Sequence, residues 1–210
     1  ALPISEPLVQ AKLETDDAPG CFGGGRTMRN SPTVKAMRYA GQTAQKSADK
    51  TVVVTKLTDP RGLAYTHTLT LYADNPAAEV VTSVENTGSE AHTLEMLSSF
   101  TLGSLSPFSA GLAPVTLKIH RLRSTWSAEG RLVTEAAEDL QLEPSWKCYS
   151  ANSVRFGSVG SFPVRGFVPF CAVEDTAHGV TWAAATTQGS SWQMELYRQD
   201  FGLSLSGGVA

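Results

Sequence analysis

The sequence predicts an all-β fold, a sandwich of antiparallel sheets with little helix. Three observations carry that expectation. Apolar and polar residues alternate with period two through much of the chain from Thr51 onward. Turn signals such as Asp74-Asn75-Pro76 and Asn86-Thr87-Gly88 separate short β-branched runs. Only Thr134-Glu135-Ala136-Ala137-Glu138-Asp139-Leu140 leans helical, and it is too short to stand without tertiary support. Many short strands and almost no helix are the pattern of sheet packed on sheet.

The elements follow in order. The first 30 or so residues read as irregular, because Pro3, Pro7, Pro19 and Gly23-Gly24-Gly25 resist both helix and strand. Leu63, Tyr65, His67, Leu69 and Leu71 share one face of a half-buried strand, and Ala64, Thr66, Thr68, Thr70 and Tyr72 take the other. Ala78 to Glu85 is a second β-branched run, and Ala91 to Leu102 its return strand. Val115, Leu117 and Ile119 alternate with Thr116, Lys118 and His120. Later strands are expected at Phe167 to Val173, Val180 to Thr186, Ser191 to Tyr197 and Leu203 to Ser206. The division expected is an irregular leading segment, 1–20, followed by one β-sandwich domain, 21–210. The chain stops within a passage dense in motifs, which suggests a piece of a larger protein.

Composition excludes several classes. The chain has 210 residues, 41% hydrophobic and 18% charged, enough for one good core. A net charge of -3 gives no pull towards nucleic acid or an anionic membrane. Lys118, Arg121 and Arg123 cluster, but on an alternating strand they read as a solvated face. No apolar run nears the roughly 20 residues that span a bilayer, and no signal peptide is visible at the start. Cys21, Cys148 and Cys171 are odd in number and match no zinc or redox spacing. Cys171 reads as a buried, inert thiol, and the set favours a reducing, cytoplasmic compartment.

Motif by motif, catalysis finds little footing. Gly23-Gly24-Gly25-Arg26-Thr27-Met28-Arg29 lacks the Gly-Lys-Ser/Thr ending of a phosphate loop. His67, His92, His120 and His178 show no metal spacing, and no metal or cofactor is expected. His67 reads as a satisfied core histidine. Gly157-Ser158-Val159-Gly160 is one residue short of a nucleophile elbow. Glu129, Asp139, Glu143, Glu174, Asp175, Glu195 and Asp200 supply the residue type of an acid/base pair, but nothing in the spacing brings two together. Among the tryptophans, Trp182 and Trp192 lie on strands and read as core. Trp126 and Trp146 lie near loops, where domain packing comes first and sugar contact second.

The ordered set Arg123-Ser124-Thr125-Trp126-Ser127-Ala128-Glu129-Gly130-Arg131, Glu143-Pro144-Ser145-Trp146, Arg155-Phe156-Gly157-Ser158-Val159-Gly160-Ser161, Pro163-Val164-Arg165-Gly166-Phe167, Ser191-Trp192-Gln193 and Ser206-Gly207-Gly208 resembles the N-terminal domain of family 36 glycoside hydrolases, the α-galactosidases and their relatives. The likeness is dense from about Lys118 to the end, loose from about Gly20 to Leu112, and absent before that. It implies a large antiparallel β-supersandwich, galactose-mutarotase-like in outline, that precedes a (β/α)8 barrel. The barrel carries the two catalytic aspartates of a retaining mechanism, and neither falls on a position of this chain.

In some family members an acid in an early Gly-rich loop reaches the active site of a neighbouring subunit. Here Gly23 to Asn30 holds Arg26 and Arg29 and no acid. The expected role is therefore a non-catalytic domain that packs on the barrel, shapes an active-site rim and supports a homo-oligomer. The galactoside substrate would be met only through the parent. Trp126, Glu129, Trp146 and Arg165, with Arg26 and Arg29, are the residues expected at a domain interface or sugar contact. A free-standing carbohydrate-binding module is the alternative. A mutarotase-like epimerase using His67, His120 and Glu174 is a third reading, though no spacing links the three.

Overall fold

The computed structural model describes residues 6–17, 27–105, 115–142, 153–160, 164–187, 189–199 and 202–209. The chain divides into two compact units. The smaller comprises Pro7–Asp17 and Met28–Phe100, and the larger is built mainly on Thr101–Ala210. Strand pairing is antiparallel throughout the described residues, as the period-two patterning requires.

The smaller unit holds β1 (Ala11–Leu13), α1 (Pro32–Ala36), β2 (Arg38–Lys46), β3 (Lys50–Thr58), β4 (Leu63–Tyr72), β5 (Ala78–Asn86) and most of β6 (Leu94–Leu102). Strands β2, β3, β4 and β5 form a meander in sequence order, and β1 pairs with β6, Ala11 opposite Leu97. Strand β1 thus lies inside the stretch that reads as irregular. Leu63 and Tyr65 of β4 pack with Leu57 and Val84 against Val9, Ala11, Leu13 and Leu97. His67 is buried on the same face, and burial pulls its pKa down. Farther along that face Val53, Leu69, Val80 and Leu71 lie in neighbouring register, and Leu71 is exposed. Val52, Val54, Val81 and Tyr72 line the reverse face, where Val81 and Tyr72 are exposed.

Arg61 ties the smaller unit together. It sits in the turn between β3 and β4, where Gly62 adopts φ 87° and donates its N–H to the Asp59 carbonyl. A Cβ on Gly62 would meet the Gly88 Cα at 2.7 Å, so glycine is required twice over. The Arg61 guanidinium grips Asp59 through Nε (2.8 Å) and Nη2 (2.7 Å) and donates to Thr33 Oγ1 at 2.7 Å. Thr33 donates to Asp16, which also accepts from the Leu13 N–H at 3.1 Å. One cation therefore joins a hairpin turn, helix α1 and the end of β1. Helix α1 is capped by Ser31, whose Oγ accepts from the Val34 N–H, with Pro32 at its first turn.

The larger unit holds β7 (Leu117–Ser124), β8 (Arg131–Ala136), β9 (Ser153–Ser158), β10 (Gly166–Asp175), β11 (Val180–Ala185), β12 (Trp192–Gln199) and β13 (Gly202–Val209). One sheet has the order β11-β10-β7-β8, and β12 pairs with both β9 and β13. Leu117, Ile119, Cys171 and Val173 are fully buried on one sheet; Trp192, Met194, Leu196, Leu203 and Leu205 are fully buried on the other. The Phe156 ring lies 5.4 Å from Phe167 and meets Trp192 edge-on at 5.9 Å, which joins the two sheets. Gly157 is needed at its place: a Cβ there would stand 2.2 Å from the Trp192 carbonyl oxygen. Cys171 is buried and free, and burial pushes its thiol up to about 12.

Four expectations are corrected. Residues 134–140 are not helical: Arg131–Ala136 is strand β8, paired with β7, and a turn follows. Ladder pairing of Thr134, Glu135 and Ala136 with His120, Ile119 and Lys118 outweighs the helix preference of Ala and Glu. Arg121 is not on a solvated face, since it shares the inward face of β7 with Leu117 and Ile119. Trp182 is 42% exposed rather than core, because it lies on edge strand β11. Val115 stands outside β7, exposed, with φ 64°.

The Asp16 and Asp59 carboxyls make stability depend on pH. Burial pushes Asp16 up, but hydrogen bonds from Thr33 and Leu13 and the charge of Arg61 hold it below 3.8. The Arg61 hydrogen bond holds Asp59 below the same value against burial. Their stabilisation is present above the unfolded pKa and lost as pH falls through the depressed folded values. The urea midpoint is expected to fall steeply below about pH 4. Asp59→Asn should start lower at pH 7 and lose less on acidification. Parallel curves for the two proteins would contradict this origin.

Candidate functional site

The candidate site is the end of the β7–β8–β10 sheet. Antiparallel pairing places Arg123 directly opposite Arg131, and the loop 125–130 closes that hairpin. The Ala128 N–H donates to the Thr125 carbonyl at 2.9 Å, so Trp126 and Ser127 occupy the middle of a tight turn. Ser127 has φ 63° and Gly130 φ 72°. Glu129 Oε1 accepts from the Ser127 N–H at 3.1 Å and staples the loop from within. The result lifts Trp126 into solvent, 94% exposed. Leaving an indole in water forgoes about 2–3 kcal/mol of burial, which the fold itself does not recover.

Arg165 belongs to the same end. It precedes Gly166, which pairs with Ser124 and adopts φ 84°. Arg165 therefore lies one residue beyond the last pair of the ladder, beside the start of the Trp126 loop. Arg123, Arg131 and Arg165 are all exposed, and among the described residues none forms an ion pair. Glu135, on the same strand as Arg131, is taken by Arg121. The Arg123 guanidinium rests over the Phe167 ring at 5.4 Å, which holds it in place.

Three of the residues expected at a contact surface, Trp126, Glu129 and Arg165, are thus brought to one end of one sheet. Arg29 is buried, and lies in the smaller unit. Trp146 and Arg26 lie outside the described residues. Arg123 and Arg131 were not singled out for this surface. Their signal was the symmetry of arginines about the loop, visible only once the hairpin register is known.

A second cluster lies on the outer face of the same sheet. His120 Nε2 stands 3.0 Å from Glu174 Oε2, and His120 Nδ1 stands 2.9 Å from Thr134 Oγ1. The structure therefore joins two residues that lie 54 positions apart in sequence. His120 pairs across with Ala172, so Glu174 reaches it diagonally. Each ring nitrogen is engaged, and the carboxylate touches the imidazole directly, with no gap for a sugar between them. His67 lies in the smaller unit. Of the remaining acids, Asp175 caps its own turn, with Oδ1 on the Ala177 N–H and Oδ2 on His178. Glu195 is buried within β12, and Asp139 accepts from the Ala136 N–H. Glu143 and Asp200 lie outside the described residues. Among the described residues no group of three or more His, Cys, Asp or Glu could hold a metal ion.

The fold has known counterparts. No protein-family model matches the sequence, and no curated protein does. Solved structures do. The chain superposes on the family 36 α-galactosidase AgaA of Geobacillus stearothermophilus, determined with 1-deoxygalactonojirimycin, with a TM-score of 0.68 and 14% identity. A second AgaA structure, with stachyose, gives the same values. An α-galactosidase from Lactobacillus brevis gives a TM-score of 0.67 and 13% identity. The chain is covered to 99% in each case, but it spans only 26–27% of the neighbours' length. The fold is that of a β-sandwich portion of these larger enzymes. No described helix is long and apolar enough to cross a membrane.

Exposure divides the tryptophans by role. Trp126→Ala is expected to leave stability within about 0.5 kcal/mol of the parent. Trp192→Ala, which empties a fully buried site, should cost about 3–5 kcal/mol. Thermal melts of the two variants check this, and a large loss for Trp126→Ala would show that the indole packs on the fold.

Proposed function

We propose that this chain is the non-catalytic N-terminal β-sandwich domain of an α-galactosidase-like retaining glycoside hydrolase. The observation that carries the reading is the fold match over 99% of this chain against 27% of the neighbour. A piece of that proportion has the size of one accessory domain beside a catalytic (β/α)8 barrel. On this reading the domain packs on the barrel, and the end bearing Trp126, Glu129 and Arg165 forms part of the rim over the galactoside site. Trp146 and Arg26 are assigned to the same contact surfaces, whereas Arg29, fully buried, is withdrawn from them. Homo-oligomer contacts are assigned to the reverse face of the β2–β5 sheet, where Tyr72 and Val81 are exposed. The buried free thiol of Cys171 agrees with a cytoplasmic setting.

On this reading the two carboxylates of a retaining mechanism belong to the barrel. A second reading, a free-standing carbohydrate-binding module, is favoured by one observation, the 94% exposure of Trp126. The His120–Glu174 contact favours the epimerase reading less, because the two groups satisfy each other rather than flank an open site.

The purified chain is expected to show no turnover of p-nitrophenyl α-galactoside and no heat of binding with neutral galactosides. Calorimetric binding without turnover would favour the module. Turnover by the chain alone would overturn the domain reading.

A further inference from the structure

We infer that the end of the β7–β8–β10 sheet is a subsite for a carboxylate-bearing sugar, a uronate. In this subsite Trp126 stacks on the ring, and Arg123, Arg131 and Arg165 take the acid group. The inference rests on the reading of this end as the rim of a sugar site, and it names what that rim selects.

Charge is the first argument. Arg123 and Arg131 stand directly opposite in the ladder. Directly opposed residues have Cβ atoms about 5 Å apart, and like charges so placed are destabilising. No described carboxylate relieves them. Arg165 adds a third cation within a residue of the ladder's end. Against these three, the loop has only Glu129, whose Oε1 is occupied by the Ser127 N–H. A local excess of cations on a chain of net charge -3 marks this end out. A planar carboxylate satisfies guanidinium groups in pairs, which a neutral hydroxyl does not.

Geometry is the second argument. Arg123 is steadied by its seat on Phe167, so its head is oriented before any ligand arrives. Trp126 follows Arg123 by three residues and presents its indole almost wholly to solvent. The flat apolar face suits the C–H face of a pyranose. A uronate carries ring and carboxylate on a single residue, so one ligand offers a partner both to the indole and to the guanidinium groups at the same sheet end. An acidic peptide would meet the arginines but leave the indole without a ring to stack on.

The test is calorimetric titration of the 210-residue chain with tri-galacturonate. A neutral galactose trisaccharide and poly-L-glutamate are titrated in parallel. The expected result is binding of tri-galacturonate alone, weakening between about 50 and 200 mM salt. Arg123→Met, Arg131→Met and Trp126→Ala should each weaken it about tenfold or more, with melting temperatures unchanged for Trp126→Ala. Equal binding of the neutral sugar would overturn the role of the arginines. Equal binding of poly-L-glutamate, insensitive to Trp126→Ala, would overturn the sugar in favour of an acidic protein surface. Absence of binding would overturn the subsite altogether. A chain inert towards both galacturonate and p-nitrophenyl α-galactoside would sink this inference and leave the domain reading standing.

Discussion

Arg121 is the constraint on which the larger unit depends. Its side chain is nearly fully buried, on the inward face of β7 between Ile119 and Arg123. A lone guanidinium there would be ruinous, since an unpaired buried charge costs several kcal/mol. Three groups offset much of that cost, although the buried Nε has no hydrogen-bond partner. Glu135 of β8 pairs with it, and the rings of Phe156 and Phe167 lie 5.3 and 5.2 Å from its centre. Phe156 belongs to β9 and Phe167 to β10, so one cation binds four strands and both sheets. Cation–π contacts of this desolvated kind are worth about 2 kcal/mol. Trp192 completes the arrangement by meeting Phe156 edge-on.

The candidate site follows from that clamp. Phe167, one residue into β10, lies against the guanidinium groups of both Arg121 and Arg123. The same strand start carries Arg165, and the hairpin that Arg121 anchors to β8 carries Trp126. The smaller unit uses a parallel device. There Arg61 joins a turn, a helix and a strand end through Asp59, Thr33 and Asp16. In both units a single arginine does structural work that a small apolar core would leave undone, and the polar groups left over at the surface become available for recognition.

The β content was legible because alternation is a direct record of a pleated sheet with one buried face. Alternation placed the strand at 63–72, and the β-branched and apolar runs expected at 78–85, 91–102 and 167–173 overlap the strands at 78–86, 94–102 and 166–175. Trp192 was legible as core from its place on a strand, and Cys171 from the apolar run around it. Helix α1 was missed although Ser31-Pro32 is a start signal, because five residues carry no periodicity. Residues 134–140 were misread because local propensity cannot see a partner strand. The His120–Glu174 contact and the opposition of Arg123 to Arg131 depend on register, which pairs residues far apart in sequence. Charge alone reads as solvent exposure, which misplaces Arg121. Its position between Ile119 and Arg123 on an alternating face was the clue that it points inward. Trp126, Glu129 and Arg165 were picked through their place in motifs that resemble a known family, and pairing in the sheet then brought them together.

The measurement that tests this account most directly is hydrogen exchange of Arg121→Met against the parent chain. The account predicts that amides of Ile119 to Arg123, Phe156 and Phe167 lose protection together, and that the Trp126 loop loosens with them. Amides of β2 to β5 should keep their protection, because Arg61 holds that unit separately. Unchanged protection at Phe156 and Phe167, or an equal loss throughout β2 to β5, would contradict the claim that Arg121 organises the larger unit and its recognition end.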